Sequence, residues 1–318
     1  MLENVPKNNG WYMQQSVKEM IRWWLSLSRP PFHLVGIIPF ILGTFLAYEF
    51  AAKFSPAVFV LGISGVILIM LSTYHTGEFF DRKGDIISGR LHQNRFAGGS
   101  RVLAGGKMPP VVALWTSIIS LILAAFAGIV LQFVLKTGDF TLLLGCLGAF
   151  PGFFYSAEPL RLVRRGLGEI FIGFCYGWLP VASAYYIQTG SIHPLIYWFA
   201  IPIGLSIFNV ILLNEFPDYE ADLATDKKNL LYRLGRQKAI VLFVSFSLLT
   251  DFTMLISPLW GIPWKVVYFF GPFAIISLYI AAMMLRKKHE NTKLLEILCG
   301  LNIVVNLGTS LAFIGAYI

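Results

Sequence analysis

The chain has few charged residues for its length, and this scarcity excludes most classes of soluble protein. Only 13% of its 318 residues are Asp, Glu, Lys or Arg, whereas soluble domains carry about 25%. Its three cysteines, Cys146, Cys175 and Cys299, are scattered among apolar residues, so neither a disulfide framework nor a cysteine metal site is indicated. The N-terminal segment lacks a short apolar core followed by a small-residue cleavage site, and we therefore expect no cleavable signal peptide.

Long apolar runs are what the chain has instead. Hydrophobic residues make up 56% of it, and its mean hydropathy is +0.68. A helix of about 20 apolar residues crosses a bilayer. The sequence therefore predicts an all-α, polytopic membrane protein with nine transmembrane helices. The nine segments lie near 31–52, 56–75, 110–135, 140–156, 167–188, 194–213, 239–259, 264–285 and 296–318.

The distribution of basic residues predicts the orientation of these spans. Loops rich in Lys and Arg stay on the cytoplasmic side of a membrane. If the N-terminus is cytoplasmic, only Lys53, Lys136 and Lys265 of the 25 basic residues fall on the other side. We therefore expect the N-terminus inside. The net charge of +8 follows from this bias, and we assign no nucleic acid as a partner.

The N-terminal segment has a different pattern from the rest of the chain. Residues 11–28 alternate apolar and charged side chains with helical spacing, among them Trp11, Ile21 and Arg22. Such a helix lies in the interface of a membrane, in contact with its lipid. The sequence therefore predicts a cytoplasmic segment, 1–30, with an interfacial helix, followed by one transmembrane domain, 31–318.

Two pairs of aspartates with the same spacing follow the second and sixth predicted spans. The pairs are Asp81 with Asp85, and Asp218 with Asp222. Residues four apart lie on one face of a helix, so each pair can hold a cation through carboxylate oxygens. Both pairs follow even-numbered spans and therefore face the cytoplasm. The repeated spacing predicts two pseudo-repeats of four helices, with the ninth helix outside them.

The residues around these pairs are typical of a site for magnesium and a phosphorylated substrate. Asn214 precedes Asp218 by four residues and adds an amide oxygen, and Mg²⁺ prefers hard oxygen ligands that it shares with substrate phosphates. Lys227, Arg233 and Arg101 supply cations for phosphate oxygens, and the segment 98–100 offers glycine backbone amides. The alternative is that these acids merely end helices and pair with neighbouring basic residues.

Five segments of the chain resemble the UbiA superfamily of intramembrane prenyltransferases, and their pattern is most similar to that of dihydroxynaphthoate polyprenyltransferases. The resemblance spans roughly residues 29–240. The segments are DRKGD (Asp81–Asp85), FAGGSRVL (Phe96–Leu103), YSAEPLRLVRRGLGE (Tyr155–Glu169), NEFPDYEAD (Asn214–Asp222) and LLYRLG (Leu230–Gly235).

The resemblance implies a membrane-embedded enzyme with a central cavity between its helices. It implies a prokaryotic cell membrane protein whose active site faces the cytoplasm and which transfers a polyprenyl group from its diphosphate to an aromatic acceptor. The acceptor would be 1,4-dihydroxy-2-naphthoate, in menaquinone synthesis. The metal and catalytic positions would be Asp81, Asp85, Asp218 and Asp222, with Asn214 as a further Mg²⁺ ligand.

The resemblance also implies which residues bind the substrates. Lys227 matches a basic residue after the second aspartate motif. Tyr155 and Arg161 match a loop near the acceptor or the diphosphate, where Arg164 and Arg165 are alternatives to Arg161.

The chain departs from the family pattern in two places. After the second aspartate motif, Asp226 and Asn229 stand where Gly and Thr are typical. Gly77 stands four residues before Asp81, where the family usually has an asparagine ligand, and Glu78 or His75 could replace that ligand. Three other interpretations therefore stay open. They are a prenyltransferase for another acceptor such as 4-hydroxybenzoate, a lipid-binding relative without activity, and a cation-coupled transporter.

Overall fold

The computed structural model describes residues 16–91, 94–97 and 99–318, and all regular elements in these ranges are helical. Residues 11–15 of the predicted interfacial helix, and Gly98, lie outside the described residues. The predicted all-α class is confirmed. The α-helices are α1 Val17–Ser28, α2 Leu34–Ala51, α3 Pro56–Phe80, α4 Arg82–Leu91, α5 Pro110–Ile129, α6 Thr141–Phe154, α7 Gly168–Gly173, α8 Leu179–Thr189, α9 Leu195–Asn214, α10 Tyr219–Ala224, α11 Leu230–Ile256, α12 Lys265–Leu285 and α13 Thr292–Tyr317.

Eight spans of the described chain are long and apolar enough to cross a membrane. They begin with Val17–Ala51, which joins α1 to α2, and they include α7 and α8 as one continuous span, Gly168–Thr189. The predicted fourth span, 140–156, corresponds to α6, which has 14 residues and is shorter than the roughly 20 that a crossing requires. The predicted count of nine is therefore not confirmed. The eight apolar spans identify the chain as an integral membrane protein.

Helix α1 is amphipathic, in agreement with the helical part of the prediction for residues 17–28. Ser16 caps it, because its hydroxyl accepts from the Glu19 N–H at 3.3 Å while the Glu19 carboxylate accepts from the Ser16 N–H at 3.1 Å. Its exposed side includes Val17 and Ile21, whereas Leu27 is fully buried in a cluster with Trp24. Interfacial placement of this helix stays a prediction.

The transmembrane helices pack closely where small residues face one another. On α2, Gly43 lies directly against the backbone of Val181 on α8, and a Cβ atom at residue 43 would overlap the Val181 carbonyl. Small residues let membrane helices approach in this way, and the close approach supplies the van der Waals contacts that hold them together. The α2–α8 contact is continuous with a core that includes Phe199 on α9 and Phe313 on α13.

The helices enclose a cavity of about 350 Å³. Residues of α2, α3, α5, α6, α8 and α9 line it, together with loop residues from one end of the bundle. The two predicted aspartate motifs are at that end, since α3 ends one residue before Asp81 and α9 ends at Asn214.

Replacement of Gly43 by alanine tests the close helix approach. We expect Gly43→Ala to destabilise the protein by about 1–3 kcal/mol, the usual effect of overpacking a tight contact. Thermal unfolding of purified protein in detergent measures the change. Gly271→Ala on α12 is the matched control, because a Cβ atom there meets nothing within 4 Å. Equal melting temperatures for the two variants would contradict this account of the α2–α8 contact.

Candidate active site

The first aspartate motif lies where α3 ends and α4 begins. Asp81 is the residue between the two helices, and its carbonyl accepts from the Asp85 N–H at 3.1 Å. The two carboxylates are therefore one helical turn apart. The Ser156 hydroxyl donates to Asp81 Oδ2 at 2.5 Å, and Arg161 Nη2 lies 3.5 Å from Asp81 Oδ1.

The second aspartate motif has the same local arrangement. Helix α9 ends at Asn214, the chain turns through Pro217, and α10 begins after Asp218. The Asp222 N–H donates to the Asp218 carbonyl at 2.8 Å, which puts these two carboxylates one turn apart. Proline removes a backbone donor and favours such a break, so the motif spans two helices.

The structure brings both motifs to one cavity. Asp81, Asp85, Asn214, Asp218 and Asp222 all line it. The Ser88 hydroxyl on α4 donates to Asp218 Oδ1 and so links the two motifs directly. Two motifs that are more than a hundred residues apart in the sequence thus lie together at the mouth of the cavity.

Burial and mutual repulsion raise the pKa values of two of these acids. The pKa of Asp85 rises to about 8, mainly because of burial and then because Glu78 and Asp81 are nearby. Burial also raises the pKa of Asp222 to about 6, although Lys227 opposes the shift. Ionisation of both carboxyl groups is therefore unfavourable on its own, and a bound cation would favour the ionised form.

Lys227 is the basic residue that pairs with the second aspartate motif. Its Nζ lies 3.8 Å from Asp222 Oδ1, while the Asn229 side-chain amide donates to Asp222 Oδ2 at 2.7 Å. Burial opposes protonation of Lys227, but Asp222 and Asp81 raise its pKa well above the usual value. Lys227 therefore stays protonated and offers an ammonium group to an anion in the cavity.

The donor set fits a hard divalent cation that is shared with a ligand. The buried Asn214 Oδ1 has no hydrogen-bond partner, which leaves an oxygen at the cavity available for a ligand. In the described part of the chain, no three His, Cys, Asp or Glu side chains converge closely enough to hold a metal by themselves. Mg²⁺ is usually bound in this way, by one or two carboxylates together with substrate phosphates and water.

The predicted substrate-binding residues divide into two groups. Tyr155 and Lys227 line the cavity. Arg161 lies behind Asp81 and also pairs with Glu158 at 3.1 Å. Arg233 donates to the carbonyls of Lys228 and Arg164 at 2.9 and 3.1 Å, and Arg101 donates to the Asn94 carbonyl at 3.3 Å. A role in substrate binding stays a prediction for all of them.

The interpretation of the sequence missed a buried pair of acids beside the second motif. Glu215 lines the cavity and its Oε2 accepts from the Leu231 N–H at 3.2 Å. Glu169, fully buried, accepts from the Leu230 N–H at 2.9 Å. The two carboxyl groups thus cap the N-terminus of α11, where negative charge is favourable. Burial and the neighbouring Glu169 raise the pKa of Glu215. The position of Glu215 between Asn214 and Asp218 could have indicated from the sequence that its carboxyl lies at the site.

Gly77 leaves space at the cavity wall, and neither neighbour replaces the asparagine. A Cβ atom at Gly77 would have only Ser156 Oγ nearby, at 3.8 Å. His75 is fully buried, with its Nε2 hydrogen-bonded to the Ser28 hydroxyl at 3.1 Å. Glu78 is bonded to Arg29 and Ser100. Arg29 also lines the cavity, a contact that its sequence position did not indicate.

Away from the acids the cavity wall is mainly apolar. Along α3 the wall runs from Gly77 to Gly62, a distance of about 22 Å at 1.5 Å per helical residue. Phe40 and Ile187 pack over Gly62 and close this end, whereas a Cβ atom at Gly65 would meet nothing within 4 Å. The cavity therefore suits a molecule with an anionic head and a long hydrocarbon tail.

Comparison with known proteins identifies the family to which this site and fold belong. Residues 36–298 match the UbiA prenyltransferase family. The 1,4-dihydroxy-2-naphthoate octaprenyltransferases of Bacillus subtilis and Escherichia coli are each 27% identical, over 73% and 75% of this chain and 71% and 79% of their own. The 2-carboxy-1,4-naphthoquinone phytyltransferase of Synechocystis is 28% identical over 67% of this chain, and the match spans about two thirds of that relative, 66%.

Solved structures share the fold. A UbiA homologue from Aeropyrum pernix superimposes with a TM-score of 0.66 at 12% identity, over 90% of this chain and 98% of its own. A UbiA homologue from Archaeoglobus fulgidus, bound to GPP and Mg²⁺, gives 0.60 at 18% identity, over 92% and 99%. With aspartate motifs at the mouth of an apolar intramembrane cavity, and with a match over most of its length, the chain belongs to the UbiA prenyltransferase family.

Proposed function

We propose that this protein transfers a polyprenyl group from polyprenyl diphosphate to 1,4-dihydroxy-2-naphthoate, with Mg²⁺ as the cofactor. The observation that supports it best is the single cavity with carboxylates and Lys227 at one end and an apolar wall at the other. The naphthoate octaprenyltransferases among the relatives support the choice of acceptor. The proposed reaction takes place on the cytoplasmic side, since basic residues concentrate in the loops at that end.

The residues of the site would have different roles in the reaction. Asp81, Asp85, Asp218, Asp222 and the free oxygen of Asn214 would hold Mg²⁺ against the diphosphate. Bound there, Mg²⁺ supplies Lewis-acid stabilisation of the negative charge that develops on the leaving diphosphate. Lys227 donates from its ammonium group to the same oxygens, and such preorganised charge stabilises a transition state strongly in a buried site.

The apolar wall contributes by excluding water. The allylic carbon–oxygen bond to the diphosphate breaks, and a ring carbon of the acceptor forms the new carbon–carbon bond. The ring then loses the group that this carbon carried, a proton from a C–H carbon or carbon dioxide from the carbon that bears the carboxylate. A water molecule that reached the allylic carbon would compete with the acceptor. Val66, Met70 and Ile207 line the cavity and leave few polar groups to hold water there.

The position of the acids argues against a cation-coupled transporter. Transporters place their coupling-ion sites near the middle of the membrane, at the interface of their repeats. Here the acids lie at the ends of α3 and α9, in the loops and short helices that follow them. This is the position that a diphosphate headgroup requires when its hydrocarbon tail lies in the membrane.

A radiolabelled polyprenyl diphosphate assay on purified protein, with and without Mg²⁺, tests this proposal against a panel of aromatic acceptors. We expect a Mg²⁺-dependent product with 1,4-dihydroxy-2-naphthoate. Product with 4-hydroxybenzoate instead would contradict the acceptor and retain the reaction. Absence of product with every acceptor would contradict the proposed activity.

Asp218→Asn should lower turnover in that assay by about 10²–10³-fold, the usual effect of losing one stabilising group at the reacting centre. The amide retains the shape of the side chain and removes its charge. Asp139→Asn is the matched control, because Asp139 is exposed in the loop before α6, far along the chain from either motif. Turnover unchanged by Asp218→Asn would exclude Asp218 from the site.

Gly77→Asn should preserve or raise the affinity for Mg²⁺, because the cavity has room for the side chain and an amide oxygen would be added there. The Mg²⁺ concentration that gives half-maximal activity measures this. Gly271→Asn on α12 controls for the effect of an added amide on stability. A large loss of affinity for Mg²⁺ would show that the cavity needs glycine at position 77.

Gly65→Leu should shorten the polyprenyl chain that the enzyme accepts. The leucine would enter the cavity about 18 Å along α3 from Gly77, so octaprenyl donors should react roughly tenfold more slowly, the effect of about 1.4 kcal/mol. Geranyl diphosphate should react as before. Competition between the two donors measures the ratio, with Gly271→Leu as control. An unchanged ratio would place the tail elsewhere.

A further inference from the structure

Glu78 is a buried carboxylate that four donors surround. Only 3% of its surface is exposed, and it lies on α3 three residues before Asp81. Arg29 donates to its Oε1 from Nε at 3.2 Å and from Nη2 at 2.8 Å. The Ser100 N–H donates to Oε1 at 2.5 Å, and the Ser100 hydroxyl donates to Oε2 at 2.8 Å. Glu78 is therefore engaged as an acceptor, and its oxygens are occupied by protein groups.

The segment that Glu78 holds lies directly against the first aspartate motif. Gly99 precedes Ser100, has a φ of +67° and packs so closely on Asp85 that a Cβ atom would overlap the Asp85 carboxylate. Only a residue without a side chain fits between the backbone and that carboxylate. Glu78 holds Ser100, and Ser100 fixes the backbone of the adjacent Gly99. The Gly99 backbone in turn limits the directions in which the Asp85 side chain can point.

Arg29 connects Glu78 to the N-terminal helix α1. It ends α1 with a left-handed backbone conformation, φ 47° and ψ 56°, and its guanidinium turns inward to Glu78 and lines the cavity. The adjacent Ser28 hydroxyl bonds to His75 on α3 at 3.1 Å. The end of α1 is thus held on α3 at two points, and of these the Arg29–Glu78 contact reaches the cavity.

We propose that Arg29 and Glu78 are a positioning pair for the cation site. They hold the Gly99–Ser100 segment against Asp85, and this contact keeps the Asp85 carboxylate directed into the cavity. Neither residue contributes a ligand. The inference rests on the cation site of the proposed function, and it assigns the pair a role beyond fastening α1 to α3.

Mn²⁺ binding tests the pair without any turnover. The unbound Mn²⁺ signal in electron paramagnetic resonance gives the affinity of the purified full chain in detergent, with inorganic diphosphate present at a fixed concentration. We expect Glu78→Gln to weaken Mn²⁺ binding about tenfold, at the lower end of the effect of residues that orient metal ligands. Arg29→Gln should weaken it similarly, and the double variant should be no worse than either single one, because both remove the same contact.

Two further variants make the test specific. Glu296→Gln is the matched control, since Glu296 pairs with Arg95 at 3.2 Å and does not line the cavity. The Mn²⁺ affinity of this variant should equal that of the unaltered chain. Ser100→Ala retains the Arg29–Glu78 pair and removes one hydroxyl contact, so it should weaken binding by a few-fold even if Glu78→Gln fails to fold.

The outcomes separate this inference from the proposed function. If the unaltered chain binds Mn²⁺ and the folded Glu78→Gln and Ser100→Ala variants bind it equally well, the pair only fastens α1 and the inference is wrong. If the unaltered chain itself fails to bind Mn²⁺ with diphosphate, the cation site is overturned, and the inference with it. Weaker binding in both variants, with normal melting temperatures, supports the positioning role.

Discussion

Repulsion between buried carboxylates is the constraint on which the rest of this structure depends. Asp81 and Asp218 stand at helix ends that face one cavity, and the C-terminus of a helix such as α3 already carries partial negative charge. Lys227 offsets part of the charge and Arg29 neutralises Glu78. A cation would stabilise the remaining negative charge, and a cation held on one side by carboxylates can take phosphate oxygens on the other.

The two motifs can meet because the chain stops its transmembrane helices at the same end of the cavity. Helix α3 is followed at once by α4, and α9 is followed by the short α10. Each break turns the second aspartate of its motif over the cavity mouth, and the Ser88–Asp218 hydrogen bond joins α4 to the second motif. Had either helix continued straight out of the bundle, its carboxylates would face solvent and would bind a cation weakly.

Hydropathy and motif spacing predicted most of the fold and the acids of the site, because both are local properties of a sequence. Contacts between distant residues were not predictable in this way. Arg29 looked like one more cytoplasmic basic residue, yet it bonds Glu78, 49 positions away. The count of nine spans is not confirmed at α6, since hydropathy alone extended the segment to 140–156 while the helix itself is Thr141–Phe154.

The apolar wall gives this charged site its chemical selectivity. Carboxylates with a cation would attract any soluble diphosphate, including nucleotides, whose polar bases cannot enter an apolar cavity without losing their hydrogen bonds to water. A polyprenyl tail gains free energy from the same burial, about 25 cal/mol for each Å² of apolar surface removed from water. Discrimination therefore arises mainly along the wall between Gly77 and Gly62, whereas the aspartates supply the chemistry that any bound diphosphate would meet.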